Sequence, residues 1–477
     1  MNYYGGMEVV MGGRFVRIKN ITIENFKNVK YGTLDFVNRK KNYRASIVGV
    51  YGQNGSGKTA LVDALQVLKF ALCGKAILEK YADYIHVDED HATLKFQFEM
   101  QRNEVSYDIW YQFSLKKMID DTHSNDEDVN ADLKYKTQIY DEVLSFAYTS
   151  KDEKVRKGPL VDTRTSGVFV PKSKFNELLG EVTNDITELL VTKRLVQTQG
   201  RTFIFSREMI NVFRKNCKNE KYMAVIEGLY TFGNRELFVI DTENSGLISM
   251  NALPLAFKYK EKNSETVGNL MLPLNVAAPI PEDAMELVKK IISNMNIVLE
   301  EIIPGLTIDI VDLGPMVSKD GKIGRLIQLM SLKNNKAIPF QYESEGIKKI
   351  VSILQLLIVV YNNPSITVAI DEMDAGIFEY LLGELLNIIS ERGKGQLIFT
   401  SHNLRPLETI DKGFIAFTTT NPDNRYIRMT NVKGNNNLRD FYYRDIVLGE
   451  QNEPVYNPTN NYEIALAFRE AGEVFGS

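Results

Sequence analysis

The hydrophobic positions of this chain follow two different periods, and the change between them outlines its elements. In residues 15–26, apolar and polar residues alternate, which is the pattern of a half-buried strand. Residues 46–51 form an almost continuous apolar run, which is typical of a strand inside a parallel sheet. After Lys58, leucines recur every three or four positions up to Gly74, so the sequence predicts a helix that ends there.

Further along, the same patterns predict how the sheets are organised. Residues 92–100, 106–115 and 138–148 again show strand-like apolar spacing, which indicates a β-meander. In the C-terminal half, predicted helices alternate with strands, from a helix at 281–303 to a buried strand at 395–402. Such βα alternation predicts a parallel sheet that helices cover on both faces.

Composition and charge narrow the class of protein. The 477 residues carry a net charge of −4, which gives no global attraction to nucleic acid or to an anionic membrane. The two cysteines, Cys73 and Cys217, lie too far apart in sequence to indicate a disulfide framework or a cysteine zinc site. No apolar run has the length of a membrane span or a signal peptide, so we expect a cytoplasmic protein without a membrane partner.

A glycine-rich loop joins the apolar run to the leucine helix. Residues 52–59, GQNGSGKT, match the pattern G-x-x-x-x-G-K-T without a mismatch. Glycines let the backbone curl so that several N–H groups point at one anion, and the following helix adds its positive N-terminal end. Lys58 is expected to reach the β- and γ-phosphates of a nucleotide, and Thr59 to hold Mg²⁺. The candidate nucleotide-binding residues are Gly52, Asn54, Gly55, Ser56, Gly57, Lys58, Thr59 and Ala60. The alternative is a flexible turn that binds nothing.

Two later strands end in polar residues that suit the same chemistry. The apolar run at 366–370 ends in Asp371 and Glu372, and a carboxylate at the end of a buried strand is costly unless a cation meets it. Asp371 is expected to bind the Mg²⁺ and its hydration shell, and Glu372 to polarise the attacking water as general base. His402 ends the next buried strand, where it is placed to touch a γ-phosphate, although a lone histidine is more often structural.

These segments resemble the ABC-class ATPases, the superfamily of SMC, RecF and MutS proteins, over residues 15–115 and 300–435. The resemblance implies an α/β fold: a two-lobed ABC-type ATPase head with a mixed central sheet, a β-meander and a helical insertion. It also implies that the protein is an ATPase that uses ATP and Mg²⁺, with Lys58, Glu372 and His402 as catalytic residues.

The resemblance also assigns residues outside the loop. Ser344 and Gly346 in YESEGIKKI match the family's signature motif, which meets the ATP bound by another subunit. Asp374 matches the residue of the D-loop that faces the dimer partner, and Gln199 is our choice for the glutamine that contacts the Mg²⁺. Phe26 is our candidate for packing on the adenine.

Four regions follow from this assignment. We expect an N-terminal ATPase lobe with the Walker A loop and the meander at 15–165, and a helical, variable insertion with its connector at 166–280. A C-terminal ATPase lobe with the signature, the Walker B strand and His402 is expected at 281–435, and a tail at 436–477.

Within the superfamily, the SEG signature, the TSHN ending and the tail NNLRDFYYRDIVLGE look like those of bacterial phage-defence ATPases. These are the AbiL-like ATPases of abortive infection and the ATPase halves of overcoming-lysogenisation-defect, Septu and PARIS-type systems. Too few residues follow the last ATPase strand for a Toprim nuclease domain. The resemblance therefore implies a homodimer, or a larger homo-oligomer of dimers, that acts on a separate effector, a nuclease or a toxin.

Two alternatives share the same motifs. The first is a RecF-like repair ATPase that binds DNA, for which the candidate contacts are a basic cluster: Arg194, Arg201, Arg207, Arg214, Lys215 and Lys218. The second is a scaffold that binds ATP, hardly hydrolyses it and cages an effector.

The acidic segment 120–132 imitates part of a calcium-binding loop. Asp126, Asp128 and Asn130 occupy the first three ligand positions of an EF-hand, but Ala131 and Thr137 replace the required glycine and glutamate. We therefore interpret this segment as a solvated hairpin tip.

Overall fold

Two six-stranded sheets contain most of the strands in the computed structural model of the protein. The structure describes residues 14–37, 46–119, 135–165, 169–180, 185–240, 252–261, 264–317, 323–334, 336–429, 437–449 and 451–473. The strands are β1 (Phe15–Phe26), β2 (Val29–Asp35), β3 (Ser46–Tyr51), β4 (His91–Arg102), β5 (Val105–Ile119), β6 (Tyr135–Thr149), β7 (Lys154–Asp162), β8 (Leu237–Ile240), β9 (Ala252–Glu261), β10 (Ser264–Pro273), β11 (Ala278–Pro281), β12 (Leu306–Val317), β13 (Ile323–Lys333), β14 (Lys336–Pro339), β15 (Thr367–Ile370), β16 (Gln396–Thr400), β17 (Ile415–Thr418) and β18 (Tyr426–Ile427).

Helices separate these strands. They are α1 (Lys58–Leu72), α2 (Phe175–Leu179), α3 (Asp185–Thr198), α4 (Arg207–Asn216), α5 (Glu220–Thr231), α6 (Met285–Ile302), α7 (Glu345–Asn362), α8 (Glu379–Arg392), α9 (Pro406–Thr409), α10 (Leu438–Leu448) and α11 (Asn461–Glu473). None of the helices in the described ranges combines the length and the apolarity needed to cross a bilayer.

The first sheet is antiparallel, with strand order β2-β1-β4-β5-β6-β7. The predicted meander is confirmed, because β4, β5 and β6 pair in sequence order. Alternate residues of β4 are buried, as the period of two in its sequence predicts. The acidic segment 120–132 connects β5 to β6 and lies outside the described residues.

The second sheet has strand order β18-β17-β3-β16-β15-β8, and all of its neighbours are parallel except β17 and β18. Successive residues of its strands pack on opposite sides: Val48 and Ala369 belong to the core shared with the first sheet and α1, whereas Ile47 and Val368 belong to the core shared with α7 and α8. The sheet is therefore buried on both faces, which confirms the prediction made from its apolar runs.

The segment 166–280 differs from the expected helical insertion. It contributes α2 to α5, but it also contributes β8, whose four buried residues pair with β15 at the edge of the central sheet. The expected connector contains the paired strands β9 and β10. Four apolar residues after a helix have no periodicity that separates a strand from the end of that helix, so the sequence did not predict β8.

A smaller antiparallel sheet completes the C-terminal half. Its order is β11-β13-β12, and β14 also pairs with β13. α6 packs against β12 of this sheet and against α7, the helix that begins beside Ser344, and β9 also contacts α7. Ser344 is exposed, so the beginning of α7 lies at the surface of the molecule.

Candidate functional site

A cavity of about 680 Å³ opens at the carboxyl edge of the central sheet. Parallel strands end at the same edge, so the loop after β3 and the acidic residues after β15 meet there, and His402 lies two residues beyond β16. The lining residues are Lys27, Asn28, Asn54, Gly55, Gly57, Lys58, Thr59, Ala60, Asp371, Glu372, Asp374, Ala375 and His402.

The loop before α1 has the backbone conformation of an anion cradle. The loop contains three glycines with positive φ angles, which residues other than glycine rarely adopt. The angles are 154° at Gly52, 75° at Gly55 and 96° at Gly57. A Cβ atom at Gly52 would lie 1.8 Å from the hydroxyl oxygen of Thr418, so this position also has no space for a side chain. α1 begins at Lys58, and its N-terminus therefore points its free N–H groups and its positive end at the cavity.

Lys58 lies against the wall of this cradle. Its ammonium group donates hydrogen bonds to the carbonyl oxygens of Gly52 at 2.8 Å and Gln53 at 2.9 Å. Burial lowers the pKa of Lys58, and the negative charges of Asp371, Glu372 and Asp374 oppose this shift. The cavity therefore joins a buried cation to an acidic edge, which is the electrostatic arrangement that a nucleotide phosphate and a divalent cation require together.

Asp371 and Glu372 are fixed by one threonine. Asp371 is fully buried, and its N–H donates to the carbonyl oxygen of Ile240 in β8 at 2.8 Å. The hydroxyl of Thr400 donates to a carboxylate oxygen of Asp371 and accepts a hydrogen bond from the N–H of Glu372 at 2.8 Å. Thr400 was not among the candidates, although it is the polar residue that follows the apolar run Leu397–Phe399.

Asp374 connects the loop after β15 to the loop after β16. One of its carboxylate oxygens accepts hydrogen bonds from the N–H groups of His402 at 3.1 Å and Asn403 at 2.9 Å. The expected contact with a dimer partner must therefore coexist with these bonds inside the chain. The His402 side chain is exposed at the rim of the cavity.

A second lysine near these acids was not a candidate in the sequence. Lys349 of α7 is buried, and burial lowers its pKa, while the charges of Asp374, Glu372 and Asp371 oppose the shift. The helix that begins with the signature residues thus carries a cation toward the acidic edge. Its position depends on how α7 packs against the sheet, which no local pattern reveals.

Ser344 and Gly346 do not line this cavity in their own chain. Ser344 caps α7, since its hydroxyl accepts a hydrogen bond from the N–H of Ile347 at 3.3 Å. A Cβ atom at Gly346 would lie 2.9 Å from the carbonyl oxygen of Gly376, so α7 begins in close contact with the loop that contains Asp374. The role of these two residues toward a nucleotide stays a prediction.

The structure does not bring every candidate to the cavity. Gln199 follows α3 with an exposed side chain, and it is not a lining residue, so its assignment to the cation is not supported by its position. Phe26 is fully buried against Tyr84, and its expected packing on adenine is therefore wrong. Gly52 and Ser56 belong to the loop but do not line the cavity. The Ser56 hydroxyl is hydrogen-bonded to the hydroxyl of Thr418.

Thr59 and Asp371 are the residues that fit a magnesium ion. Mg²⁺ usually takes one or two oxygen ligands from the protein and the rest from phosphates and water, and a hydroxyl and a carboxylate line this one cavity. In the ranges that the structure describes, no three side chains of His, Cys, Asp or Glu are grouped to hold a metal without such partners.

The tip of the β1–β2 hairpin forms another wall that the sequence did not reveal. Lys27 and Asn28 line the cavity, and the Asn28 side chain donates to the carbonyl oxygen of Gly55. Tyr426 supports the loop from below, since its hydroxyl donates to the carbonyl oxygen of Gly57 at 2.8 Å. The contact of Tyr426 with Gly57 joins segments 369 residues apart in the chain.

The chain was compared with models of protein families, with curated proteins and with solved structures. The family model described as RecF/RecN/SMC N terminal domain matches residues 17–423. A comparison with curated proteins gave no match.

Similar solved structures include the SMC head domain from Thermotoga maritima, with 14% identity, a TM-score of 0.36 and coverage of 87% of this chain and 99% of that chain. The SMC head domain with a coiled coil and joint derived from Pyrococcus yayanosii has 10% identity, a TM-score of 0.39 and coverage of 87% and 98%. The recombination mediator protein RecF-ATPrS has 12% identity, a TM-score of 0.36 and coverage of 87% and 98%. These structural similarities are weak, so the family to which the chain belongs is inferred from the family model alone.

Proposed function

This chain belongs to the RecF/RecN/SMC N terminal domain family of ABC-class ATPases, and from this premise we propose that it is a switch that ATP closes into a dimer. The observation that carries the proposal is the division of the site between two surfaces. The glycine-rich loop, Asp371, Glu372 and His402 share one cavity, whereas Ser344 lies exposed at the start of α7 and outside that cavity.

Each residue at the cavity has a defined task in this proposal. The N–H groups of the loop and Lys58 bind the phosphates of ATP, and Thr59 and Asp371 hold Mg²⁺, which supplies positive charge to the phosphate oxygens when bound. Glu372 orients the attacking water and accepts its proton, and His402 contacts the γ-phosphate from the rim. Thr400 keeps the two carboxylates in place.

The second half of the site comes from another copy of the chain. Ser344 and Gly346 of that copy close over the γ-phosphate, since the N-terminus of a helix with a hydroxyl cap suits an anion. ATP thus favours the closed dimer, and hydrolysis reopens it.

We further propose that this switch controls a separate effector, a nuclease or a toxin, in defence against phage. The support is the resemblance of the SEG signature, the TSHN ending and the tail to defence ATPases. The regions 15–165, 166–280, 281–435 and 436–477 remain our division of the chain, with β8 as a contribution of the second region to the ATPase sheet.

Binding to DNA is the other candidate, and the charges of the described residues do not favour it. Within the basic cluster, Arg201 pairs with Glu208, and Arg214 pairs with Glu227 through two hydrogen bonds. Both cations are therefore partly neutralised inside the chain.

The switch is tested by a pair of variants. Glu372→Gln should lower the rate of phosphate release at least about a hundredfold, because the amide cannot accept a proton, and should trap an ATP-loaded dimer. Ser344→Arg should prevent that dimer while each copy still binds ATP. Phosphate release and light scattering measure the two effects.

A matched control is Glu391→Gln, an exposed carboxylate at the far end of α8, which should behave like the unmodified chain. Hydrolysis that is unchanged in Glu372→Gln would remove the assignment of the general base. A Glu372→Gln chain that stays monomeric at saturating ATP would remove the dimer.

A further inference from the structure

The C-terminal helix α11 is exposed along its whole length. Asn460 starts the helix, since its side chain accepts hydrogen bonds from the N–H groups of Tyr462 at 3.0 Å and Glu463 at 3.3 Å. Every described side chain of α11 except Leu466 is exposed to solvent. A helix of this length is marginal in water without packing, so its exposed state in a single chain indicates a partner.

One side of α11 is apolar. Ile464, Ala467, Phe468 and Ala471 recur at the spacing i, i+3, i+4 and i+7, which places them in one stripe. Phe468 is 77% exposed within this stripe, and Ile464 is also exposed. Arg469 and the half-buried Leu466 lie on the opposite side. This is the pattern of a helix that packs on an apolar surface.

The base of α11 is fixed beside the nucleotide cavity. Val455 is buried in the core beneath the central sheet, and Glu453 accepts hydrogen bonds from the side chains of Asn421 at 2.9 Å and Asn424 at 3.0 Å. The N–H of Asn457 donates to the side chain of Gln53, within the glycine-rich loop, at 2.9 Å. Four residues reach at most about 14 Å, so α11 begins within that distance of Asn457.

A matching apolar surface surrounds the start of α7. Tyr342, two residues before Ser344, is 71% exposed, and so is Phe378, which follows the loop that contacts Gly346. Tyr380 of α8 is also largely exposed. We call these three exposed rings the aromatic patch.

We propose that α11 docks on the aromatic patch of a second copy of this chain. The inference rests on the proposed function, because a closed dimer sets the cavity of one copy against the Ser344 surface of the other. The helix tethered at the cavity then faces the rings that flank Ser344 in the second copy. The two apolar surfaces cover each other, and the same contact repeats across the two-fold axis.

Sedimentation of dimers in the Glu372→Gln background at saturating ATP tests the proposal. Phe468→Asp should raise the dissociation constant of the dimer at least about tenfold, because a charge would replace a ring that the proposed contact buries. Ile464→Asp should act in the same direction. Arg469→Gln, on the opposite side of the helix, is the matched control and should leave the constant within about twofold of its parent.

The contact itself is tested by cross-linking. Copies with Phe468→Cys are mixed with copies with Tyr380→Cys and treated with a short bismaleimide, with the unmodified chain as control for Cys73 and Cys217. A cross-linked pair that forms with ATP and not without it supports the docking.

The outcomes separate the two proposals. A Glu372→Gln chain that remains monomeric with ATP overturns both the dimer and the docking. A dimer whose dissociation constant is unchanged by Phe468→Asp, with no cross-link between the two introduced cysteines, overturns the docking alone.

Discussion

Glu372 has a backbone conformation that residues other than glycine rarely adopt. Its φ angle is 48°, and left-handed conformations of this kind cost on the order of 1 kcal/mol. The N–H of Glu372 is held by Thr400, and its carbonyl oxygen accepts a hydrogen bond from the N–H of Ala375 at 3.1 Å. The turn directs the carboxylate into the cavity, so the strain occurs where our proposal places the general base.

Replacing Thr400 with valine removes the hydroxyl at almost constant volume. We expect kcat for ATP hydrolysis to fall about tenfold or more, because Asp371 loses a donor and the N–H of Glu372 loses its acceptor. The affinity of the chain for ATP should change less than about threefold, since the phosphate-binding loop is untouched. Steady-state kinetics and equilibrium binding of a fluorescent ATP analogue measure both quantities.

Thr400→Ser is the matched control, because it restores the hydroxyl without the methyl group. If serine is as slow as valine, the packing of the methyl group and not the hydrogen bonds is the cause. Equal losses of ATP affinity and kcat in Thr400→Val would contradict a positioning role.

Motif residues and supporting residues differ in how far the sequence reveals them. Lys58, Asp371 and His402 could be placed in one cavity because each follows an apolar run that predicts a neighbouring parallel strand. Thr400 and Lys349 could not, because their roles depend on the register of β15 against β16 and on the packing of α7. Local periodicity contains neither quantity.

At the scale of elements, β8 shows how a region outside the motifs takes part in the site. It pairs with β15, and the carbonyl oxygen of Ile240 accepts the N–H of Asp371. The order of the central sheet was not predictable beyond its parallel character, since a short apolar strand can join either edge. The strands with motifs were recognised because each ended in a polar residue suited to phosphate chemistry.

A buried carboxylate attaches the helical region to the meander. Glu142 of β6 is fully buried and accepts hydrogen bonds from the N–H groups of Phe203 at 2.6 Å and Ile204 at 3.2 Å. The hydroxyls of Tyr111 and Thr202 also donate to it. Burial raises the pKa of Glu142, and these donors oppose the shift. Glu142 thus accepts three hydrogen bonds from the segment after α3, and the Tyr111 hydroxyl adds a contact with the Thr202 hydroxyl at 3.3 Å.

Glu142→Ala should therefore loosen this attachment. We expect the free energy of unfolding to fall by roughly 3 kcal/mol, because four buried donors lose their acceptor. Urea-induced unfolding measures this loss, and amide exchange at Phe203 and Ile204 should become faster in the folded state.

Glu104→Ala, at an exposed pair with Lys151, is the control and should leave both measurements close to those of the unmodified chain. Slow exchange that persists at Phe203 and Ile204 in Glu142→Ala would show that other contacts hold the segment.

At the scale of the whole molecule, two neighbouring surface regions of the chain have different chemistry. One carries the cavity with Lys58 and the acidic edge, and the other carries the exposed cap of α7 and the aromatic patch. In our proposal, neither region by itself supplies every group that contacts the triphosphate of ATP. In our proposal, a second copy supplies the missing groups to each, and the exposed cap of α7 is then covered in the dimer.

The salt dependence of DNA binding distinguishes the proposed switch from a DNA-binding ATPase. The net charge is −4, and Arg201 and Arg214, two of the six cations in the basic cluster, are paired with carboxylates. Each phosphate contact contributes about −0.9 to the slope of log affinity against log salt, and we expect a slope shallower than about −2 for a 30-base-pair duplex with ATP. Fluorescence anisotropy between about 50 and 200 mM salt measures this slope. Arg194→Glu and Lys215→Glu, both exposed, should leave it unchanged. A slope of about −5 that either variant weakens would identify DNA as the partner and replace the effector in our proposal.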